Sequence, residues 1–282
     1  MSKARRPKDL RAKYRPQKFR QLAQGLSDPV ISTITKSLQQ RVNLQAIMLR
    51  GPYGSGKTTI ARILGQRACC RQQHLHDYEP CRRCDGCRAV EREPRSADWD
   101  GYSEYDTQSL SPRETIDRIM ANIPFRKQGG KIMPQRVVTL DEFHRLAQIH
   151  QEKFVKIIED YSQLYKTLFV LCVASDANIC QAISQRCTHR RIANPPLARA
   201  ARHISIVARA EGRTLNKQEA ELLVATADCT PRVYLGLLQD AMILSQSQII
   251  SQESVIAACN MLESTTVKVR TLRNSRSTIV LV

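Results

Sequence analysis

Glycine, lysine and threonine residues cluster at 51–59, in the order Gly-Pro-Tyr-Gly-Ser-Gly-Lys-Thr-Thr. The spacing Gly51-x-x-x-x-Gly56-Lys57-Thr58 is typical of a loop that binds nucleotide phosphates. Glycines let the backbone wrap closely enough for its N–H groups to point at phosphate oxygens, at the N-terminus of the helix that follows. We expect Lys57 to reach the β- and γ-phosphates and the Thr58 hydroxyl to bind Mg²⁺. The predicted nucleotide-binding residues are Gly51, Pro52, Gly54, Ser55, Gly56, Lys57, Thr58 and Thr59.

Two acidic residues, Asp141 and Glu142, directly follow the apolar run Val-Val-Thr-Leu at 137–140. Ligands of parallel sheets bind outside the carboxyl ends of the strands, so acids at this place suit a magnesium–nucleotide site. Asp141 would hold Mg²⁺ through its water shell, and Glu142 would polarise the water that attacks the phosphate. Two acids after a strand more often mark a helix N-terminus, and it is the upstream phosphate-binding pattern that favours the catalytic interpretation.

Four cysteines, Cys70, Cys81, Cys84 and Cys87, lie in one short polar stretch. Four thiolates suit tetrahedral Zn²⁺ in a structural site, because the closed ligand set leaves no position for a substrate. The residues between them are too polar to form a core, so a metal would replace that core. The first ligand stays open, and so do reduced surface cysteines or an iron–sulfur cluster as alternatives to zinc. The same stretch also contains Cys69, His74 and His76, whose side chains are alternatives for the first ligand.

The elements that must position these residues alternate between strands and helices. Short apolar runs predict buried strands at 46–49, 136–140 and 167–173. Apolar residues at helical spacing predict helices at 28–40, after the phosphate-binding pattern from residue 60, at 112–123 and at 148–160. Strands alternating with helices in this order indicate an α/β fold with a parallel sheet.

After Asn194-Pro195-Pro196 the pattern changes to helices alone. Helical periodicity predicts four helices, at 197–211, 216–227, 231–246 and 251–262. Because the proline pair suits a hinge, we place a domain boundary there. The predicted organisation is a basic N-terminal arm at 1–20, a nucleotide-binding domain at 21–194 with a zinc module at 69–88, a small all-α domain at 195–262 and a tail at 263–282.

The chain is strongly basic, with 44 Lys and Arg residues against 26 Asp and Glu, a net charge of +18. This excess suggests a polyanionic partner, either nucleic acid or an acidic protein. Nine of the basic residues lie within 1–20. The alternative interpretation of this arm is a solvated tail that keeps the protein in solution. No run of eighteen apolar residues occurs, which excludes a membrane-spanning helix. The charged N-terminus lacks the apolar core of an export signal, so the ten cysteines predict a reducing compartment, the cytoplasm.

The order of these motifs resembles a known family. Lys13-Tyr14-Arg15-Pro16 comes first, and then the phosphate-binding pattern, the four cysteines, Asp141-Glu142-Phe143-His144 and Gln185-Arg186-Cys187. This order is similar to that of the ATPase subunits of the bacterial DNA polymerase III clamp loader, of the gamma/tau type, which are AAA+ proteins. The resemblance runs from about residue 10 to 262. It implies a P-loop AAA+ parallel-sheet domain with an inserted zinc module, followed by a small all-α lid domain.

The resemblance also implies roles for three further residues. Arg186 falls where the family has an arginine that enters the ATP site of the neighbouring subunit. Ser175 or Ala174 falls near the polar residue that senses the γ-phosphate, and Ser175 is the better chemical candidate. Arg232 matches a second sensor in the lid. The sequence departs from the family in reading Gln185 before that arginine. It also leaves too few residues after 262 for the family's helical collar domain, so the resemblance implies either a truncated chain or a divergent one that lacks the collar and assembles by other means.

The implied function is that of an ATP-hydrolysing clamp-loader subunit in a polymerase holoenzyme. With ATP and Mg²⁺ it would open or load a sliding clamp onto primer–template DNA, in a ring with other clamp-loader subunits. One alternative is a clamp-loader subunit of the stator kind, which does not hydrolyse ATP. The other is a different AAA+ ATPase of DNA metabolism, acting in transposition or branch migration.

Overall fold

A computed structural model describes residues 9–40, 44–72, 78–92, 102–108, 111–122, 136–165, 167–175, 177–245 and 247–262. The predicted tail at 263–282, residues 1–8 of the basic arm, and His74 and His76 lie outside these described residues. The strands are β1 (Ala46–Arg50), β2 (Tyr102–Asp106), β3 (Arg136–Asp141), β4 (Thr167–Val173) and β5 (Thr188–Arg191). The helices are α1 (Leu10–Lys13), α2 (Pro29–Gln39), α3 (Lys57–Cys69), α4 (Asp85–Arg92), α5 (Pro112–Asn122), α6 (Gln148–Tyr165), α7 (Gln181–Arg186), α8 (Leu197–Ala210), α9 (Lys217–Thr226), α10 (Pro231–Leu244) and α11 (Gln252–Leu262).

The five strands form one sheet in the order β2-β3-β4-β1-β5, and every neighbouring pair is parallel. The predicted parallel α/β fold is therefore confirmed. Strands β1, β3 and β4 are almost entirely buried because helices cover both faces of the sheet, which is why they read as continuous apolar runs. The carboxyl ends of all five strands meet at one edge, and the loops that leave this edge carry the predicted nucleotide-binding residues.

Side chains of β1 alternate between two hydrophobic cores. Ile47 and Leu49 belong to the core that α2 and α3 cover, whereas Ala46 and Met48 belong to the core on the face of α6. Helix α2 begins at Pro29, directly after a residue type that favours helix starts. The Asp28 carboxylate caps α2 by accepting hydrogen bonds from the backbone of the second and third helical residues, at 2.9 and 3.2 Å.

The strands β2 and β5 were absent from the sequence prediction, which contained three strands. β2 reads Tyr-Ser-Glu-Tyr-Asp, and its central residue Glu104 is buried in an ion pair with Arg62. β5 reads Thr-His-Arg-Arg and forms one edge of the sheet, with His189 and Arg191 exposed. Neither sequence resembles a buried apolar strand. The charge of Glu104 in β2 is compensated by Arg62, which is distant in sequence, and the side chains of β5 alternate between half-buried and exposed.

The chain divides into two compact units between Pro195 and Pro196. The first unit begins at Arg15 and contains the sheet, and the second comprises α8 to α11 together with the chain up to Tyr14. The second unit has its own apolar core, whose fully buried members include Ile204, Leu223, Tyr234 and Leu238. Among the described residues, none of the helices combines the length and the apolar character needed to cross a membrane.

The described part of the basic arm is folded, although its charge is typical of a solvated tail. Its residues 10–13 form α1, and Leu10 is buried in the core of the second unit. The Leu10 backbone N–H donates to Gln239 Oε1 at 2.8 Å, and Glu211 accepts hydrogen bonds from Lys13 and Tyr14. These partners lie about two hundred residues further along the chain, so local sequence gave no sign of them.

Candidate nucleotide site and cysteine cluster

The phosphate loop, residues 51–58, leaves the carboxyl end of β1 and ends in the first turn of α3. Gly54 and Gly56 have φ angles of 79° and 102°, in the left-handed region that favours glycine. Gly51 is constrained differently, since a Cβ at this position would lie 2.2 Å from the carbonyl oxygen of Ile192. A side chain at any of the three predicted glycines would therefore strain or displace the loop.

Lys57 lies folded against the phosphate loop and is only 5% exposed. Its Nζ donates to the carbonyl oxygens of Gly51 and Pro52 at 2.9 and 2.8 Å, and it lies 5.6 Å from the centre of the Tyr53 ring. The Ser55 hydroxyl is buried and has no hydrogen-bond partner among the described residues. A buried ammonium group and a buried hydroxyl at a helix N-terminus fit a phosphate group, so the loop is suited to a nucleotide.

The two threonines that begin α3 have different partners. Thr58 Oγ1 donates to Asp141 Oδ2 at 3.0 Å, across 83 residues of sequence. Thr59 Oγ1 accepts a hydrogen bond from Arg15 Nε at 3.3 Å. The first contact brings together the hydroxyl and the carboxylate that the sequence predicts as magnesium ligands. Hydroxyl and carboxylate oxygens are the donors that Mg²⁺ prefers, so this pair fits the ion.

The carboxylate of Asp141 lies in an unfavourable electrostatic environment. Burial raises its pKa, and the negative charges of Glu104 and Glu142 raise it further, against the hydrogen bond from Thr58, which lowers it. A nearby divalent cation would reverse this effect by favouring the ionised carboxylate. The charge distribution at this edge of the sheet thus suits a cation next to Asp141.

Glu142 follows Asp141 in a strained turn. Its φ of 54° is in the left-handed region, which residues other than glycine rarely occupy. Thr107, just beyond β2, supports this turn, since its hydroxyl lies 3.0 and 2.8 Å from the carbonyl oxygens of Asp141 and Glu142. The sequence analysis missed Thr107 because it follows a strand that was not predicted.

His144 connects three parts of the site. Its Nε2 lies 3.6 Å from Glu142 Oε2 and 3.3 Å from the hydroxyl of Tyr53 in the phosphate loop. Its Nδ1 accepts a hydrogen bond from the Ala174 backbone at 3.4 Å, just after β4. The sequence motif contained His144, but no spacing in the sequence predicts these contacts.

The three residues assigned by resemblance lie in different places. Ser175 is exposed and follows Ala174 at the carboxyl edge of the sheet. Arg186 ends α7, where its Nε lies 2.5 Å from Glu159 Oε1. Arg232 is exposed near the start of α10, in the second unit. The structure therefore gathers the phosphate loop, Asp141, Glu142 and Ser175 at one sheet edge, while Arg186 has partners outside the loop.

The four predicted cysteines form a compact cluster. The sulfur atoms of Cys70, Cys81, Cys84 and Cys87 all lie within 4.8 Å of one another, and those of Cys81 and Cys87 are 3.9 Å apart. Tetrahedral Zn²⁺ with Zn–S bonds of about 2.3 Å needs sulfur atoms about 3.8 Å apart. This cysteine cluster therefore fits zinc. Cys69 is buried outside this cluster, so among the described residues Cys70, not Cys69, is the candidate for the first ligand.

Backbone groups support the cysteine cluster. The N–H groups of Arg83 and Cys84 donate to Cys81 Sγ, each at 3.4 Å, and that of Arg71 donates to Cys84 Sγ at the same distance. Burial raises the pKa of Cys81, but these backbone donors and the neighbouring thiols lower it to about 7. Metal ligation needs the thiolate, so the backbone around Cys81 favours the form that binds metal.

Three comparisons relate the chain to known proteins. The family model described as "DNA polymerase III, delta subunit" matches residues 27–196. The DNA polymerase III subunit gamma of Buchnera aphidicola subsp. Schizaphis graminum is 25% identical over 240 residues, which is 85% of this chain and 62% of the relative. The DNA polymerase III subunit tau of Bacillus subtilis is 24% identical over 82% of this chain and 39% of the relative. The chain thus spans about 60% or less of the length of these relatives.

The fold is also similar to that of a solved structure, RuvB of Thermotoga maritima, described as a Holliday junction branch migration motor. The two chains superpose with a TM-score of 0.61 at 17% sequence identity. The match covers 88% of this chain and 73% of RuvB. At this identity the likeness concerns the fold alone.

Proposed function

The chain belongs to the family described as DNA polymerase III, delta subunit, and from that premise we propose that it is an ATPase subunit of a clamp loader. In this proposal it opens or loads a sliding clamp onto primer–template DNA during replication, together with other clamp-loader subunits. The gamma and tau subunits among its relatives support this assignment. A cytoplasmic location belongs to the same proposal, since none of the ten cysteines is in a disulfide, which suits a reducing compartment.

The hydrogen bond between Thr58 and Asp141 is the observation that carries the proposal. It joins a hydroxyl of α3 to a carboxylate at the end of β3, two oxygen donors of the kind that Mg²⁺ prefers, and Glu142 is the next residue along the chain. Bound Mg²⁺ would neutralise charge on the β- and γ-phosphates of ATP. Glu142 would accept a proton from the attacking water, and Ser175 would contact the γ-phosphate. The remaining nucleotide contacts would come from the phosphate loop, Thr59 and Arg232.

Arg186 is proposed to act on the nucleotide of a neighbouring subunit. In the single chain it is held by Glu159, and the side chains of the two residues are 36% and 46% exposed. Exposed ion pairs contribute about 0–1 kcal/mol, so little energy is needed to release this arginine. An arginine that enters a neighbouring ATP site stabilises the charge that develops on the transferred phosphate. The proposal therefore requires a multi-subunit assembly for full activity.

The proposed DNA contact is electrostatic. Arg199, Arg202 and Arg209 are exposed, and their spacing places them on one face of α8, which contains no acidic residue. Together with the net charge of +18, this face suits the phosphate backbone of DNA. Such a contact would not depend on base sequence and would weaken with added salt.

A clamp-loader subunit that binds ATP without hydrolysing it is the second candidate. The observation in its favour is that Arg186 lies outside the phosphate loop, where it would serve only the ATP of a neighbouring subunit. The presence of Lys57, Thr58, Asp141 and Glu142 together favours hydrolysis instead. A third candidate is an AAA+ ATPase of transposition or branch migration. The fold likeness to RuvB supports it, but the cysteine cluster favours a clamp-loader subunit.

ATP turnover of the purified chain, with and without primed DNA and partner subunits, tests the proposal. We expect turnover that disappears in Glu142→Gln and persists in Glu152→Gln, a matched change of an exposed residue on α6. Nucleotide binding without turnover, even with partner subunits present, would support the second candidate. A chain that binds no nucleotide would refute both.

A further inference from the structure

A carboxylate next to the cysteine cluster caps a distant turn of the backbone. Glu79 precedes the ligand Cys81 by two residues, and its Oε2 and Oε1 accept hydrogen bonds from the backbone N–H groups of Phe19 and Arg20, each at 3.0 Å. These residues begin the 3-10 turn Phe19–Gln21, whose own N-cap residue, Lys18, supplies no side-chain hydrogen bond. The Glu79 carboxylate therefore satisfies two backbone donors that the turn leaves unpaired.

An aromatic contact fixes the same junction. Phe19 is fully buried in the core between α2, α3 and the sheet, and its ring centre lies 6.5 Å from that of Tyr78. Tyr78 and Glu79 are consecutive, so one short segment supplies both the apolar and the charged contact. The segment that leads into the cysteine cluster thus holds the turn in place by two independent means.

The same stretch of chain reaches the phosphate loop five residues later. Leu22 N–H donates to the Phe19 carbonyl and Gly25 N–H to the Leu22 carbonyl, which keeps the chain compact from the turn onward. Gln24 is 5% exposed, and its Nε2 donates to the carbonyl oxygens of Ser55, at 2.9 Å, and Ala193, at 3.1 Å. Hydrogen bonds at both ends, and the intervening backbone from Phe19 to Gln24, therefore connect Glu79 to the peptide that precedes Gly56.

We propose that Glu79 is a positioning residue, through which the cysteine cluster controls how firmly the phosphate loop is held. Metal bound by the four cysteines would fix Cys81 and, two residues before it, Glu79. Glu79 then holds the Phe19–Gln21 turn, and Gln24 holds the carbonyl of Ser55. The effect on nucleotide affinity rests on the proposed function, whereas the mechanical link between the cluster and the loop does not.

The test compares the zinc-loaded full chain with Glu79→Ala and Glu79→Gln. Glu91→Ala is the matched control, because Glu91 lies on α4, which carries the ligand candidate Cys87, and its carboxylate pairs with Arg82 at 3.2 Å rather than with the backbone of the turn. Zinc content is measured for every variant, hydrogen exchange is followed on peptides covering residues 15–26 and 51–58, and affinity is measured with a fluorescent ATP analogue. Zinc removal from the wild-type chain by a chelator forms a further arm.

For Glu79→Ala with full zinc content, we expect at least about tenfold faster exchange at the turn, faster exchange in the phosphate loop and about fivefold weaker nucleotide binding. Glu79→Gln keeps one acceptor oxygen and should fall between the alanine variant and the wild type. Gln24→Met should speed exchange in the loop while leaving the turn protected. Zinc removal should reproduce the pattern of Glu79→Ala.

Unchanged exchange at the turn in Glu79→Ala would show that the carboxylate does not cap it. Faster exchange at the turn with an unchanged phosphate loop would refute the link between the two sites. Should the alanine variant lose zinc or fail to fold, the glutamine variant and Gln24→Met decide the question by the same two criteria. A wild-type chain that binds no nucleotide would refute the proposed function, while the exchange data would still decide the link.

Discussion

Replacement of Arg62 by methionine tests whether a buried charge pair fixes β2 beneath the candidate site. Arg62 donates from Nε and Nη2 to the two carboxylate oxygens of Glu104, both at 2.6 Å, and the Glu104 side chain is 2% exposed. The Tyr102 hydroxyl donates to the same carboxylate at 2.9 Å. The substitution keeps most of the aliphatic stem, so it removes two charge-assisted hydrogen bonds and the cation rather than the packing.

The expected loss of stability follows from the burial of Glu104. Removing one partner of a buried ion pair costs about 3–5 kcal/mol, because the other charge stays buried without compensation. The Arg62 side chain is 21% exposed, so water can approach the vacated place, and we expect the lower end of this range. A loss of about 3 kcal/mol corresponds to a decrease in the unfolding temperature of about 6–12 °C for a domain of this size.

The measurement is thermal and urea unfolding followed by circular dichroism, with Arg113→Met as the control. The Arg113 side chain is 93% exposed and lies 3.8 Å from Asp117, so its loss should change stability by about 0.5 kcal/mol at most. An Arg62→Met variant as stable as this control would refute the reasoning. The double variant Arg62→Met/Glu104→Gln, which buries no net charge, should recover part of the loss. If it recovers nothing, packing rather than charge explains the effect.

Three further predictions concern the candidate magnesium residue, the cysteine cluster and the DNA contact. Burial raises the pKa of Asp141 in the folded chain, so the contribution of Asp141 to stability is present below the unfolded-state pKa and is lost as the pH rises through the folded-state pKa. At neutral pH, Asp141→Asn should therefore raise the unfolding temperature of the metal-free chain, and it should abolish ATP turnover. A lower unfolding temperature would contradict this. Cys84→Ser should reduce bound zinc from about one per chain to a small fraction, measured by elemental analysis, whereas Cys172→Ser, a change of a buried thiol in β4, should keep it. The double variant Arg202→Ala/Arg209→Ala should weaken DNA binding and reduce the magnitude of the slope of log affinity against log salt concentration by about 2. The control Lys217→Ala, at the exposed start of α9, should change neither the affinity nor the slope. An unchanged slope in the double variant would exclude α8 as a phosphate contact.

The parts of the fold that could be predicted from sequence are those in which local pattern and burial agree. Strands β1, β3 and β4 are buried on both faces, so their apolar runs identified them within a residue or two. The meeting of Thr58 and Asp141 was also predictable, because all parallel strands end at the same edge of the sheet. The four helices of the second unit were found from their periodicity, with ends within two residues of those in the structure.

Other features depend on partners that the local sequence does not contain. Leu10 is an isolated apolar residue in a basic segment, and only the core of the second unit explains its burial. Thr107 and His144 support the turn at Glu142 through contacts made across strands. Threonine and histidine are common in loops, so their residue types alone gave no reason to select them.

Glu104 shows why the missing strand could not be inferred. A carboxylate in the middle of a short segment argues against a buried strand, because an isolated buried charge is very unfavourable. The segment can form a strand because Arg62 of α3, the helix that follows the phosphate loop, pairs with Glu104. The negative charge of Glu104 also raises the pKa of Asp141, which a cation at that carboxylate would offset. The strand that sequence patterns describe least well is therefore coupled electrostatically to the candidate site. The buried glutamate is tolerated there because Arg62 and Tyr102 satisfy its carboxylate.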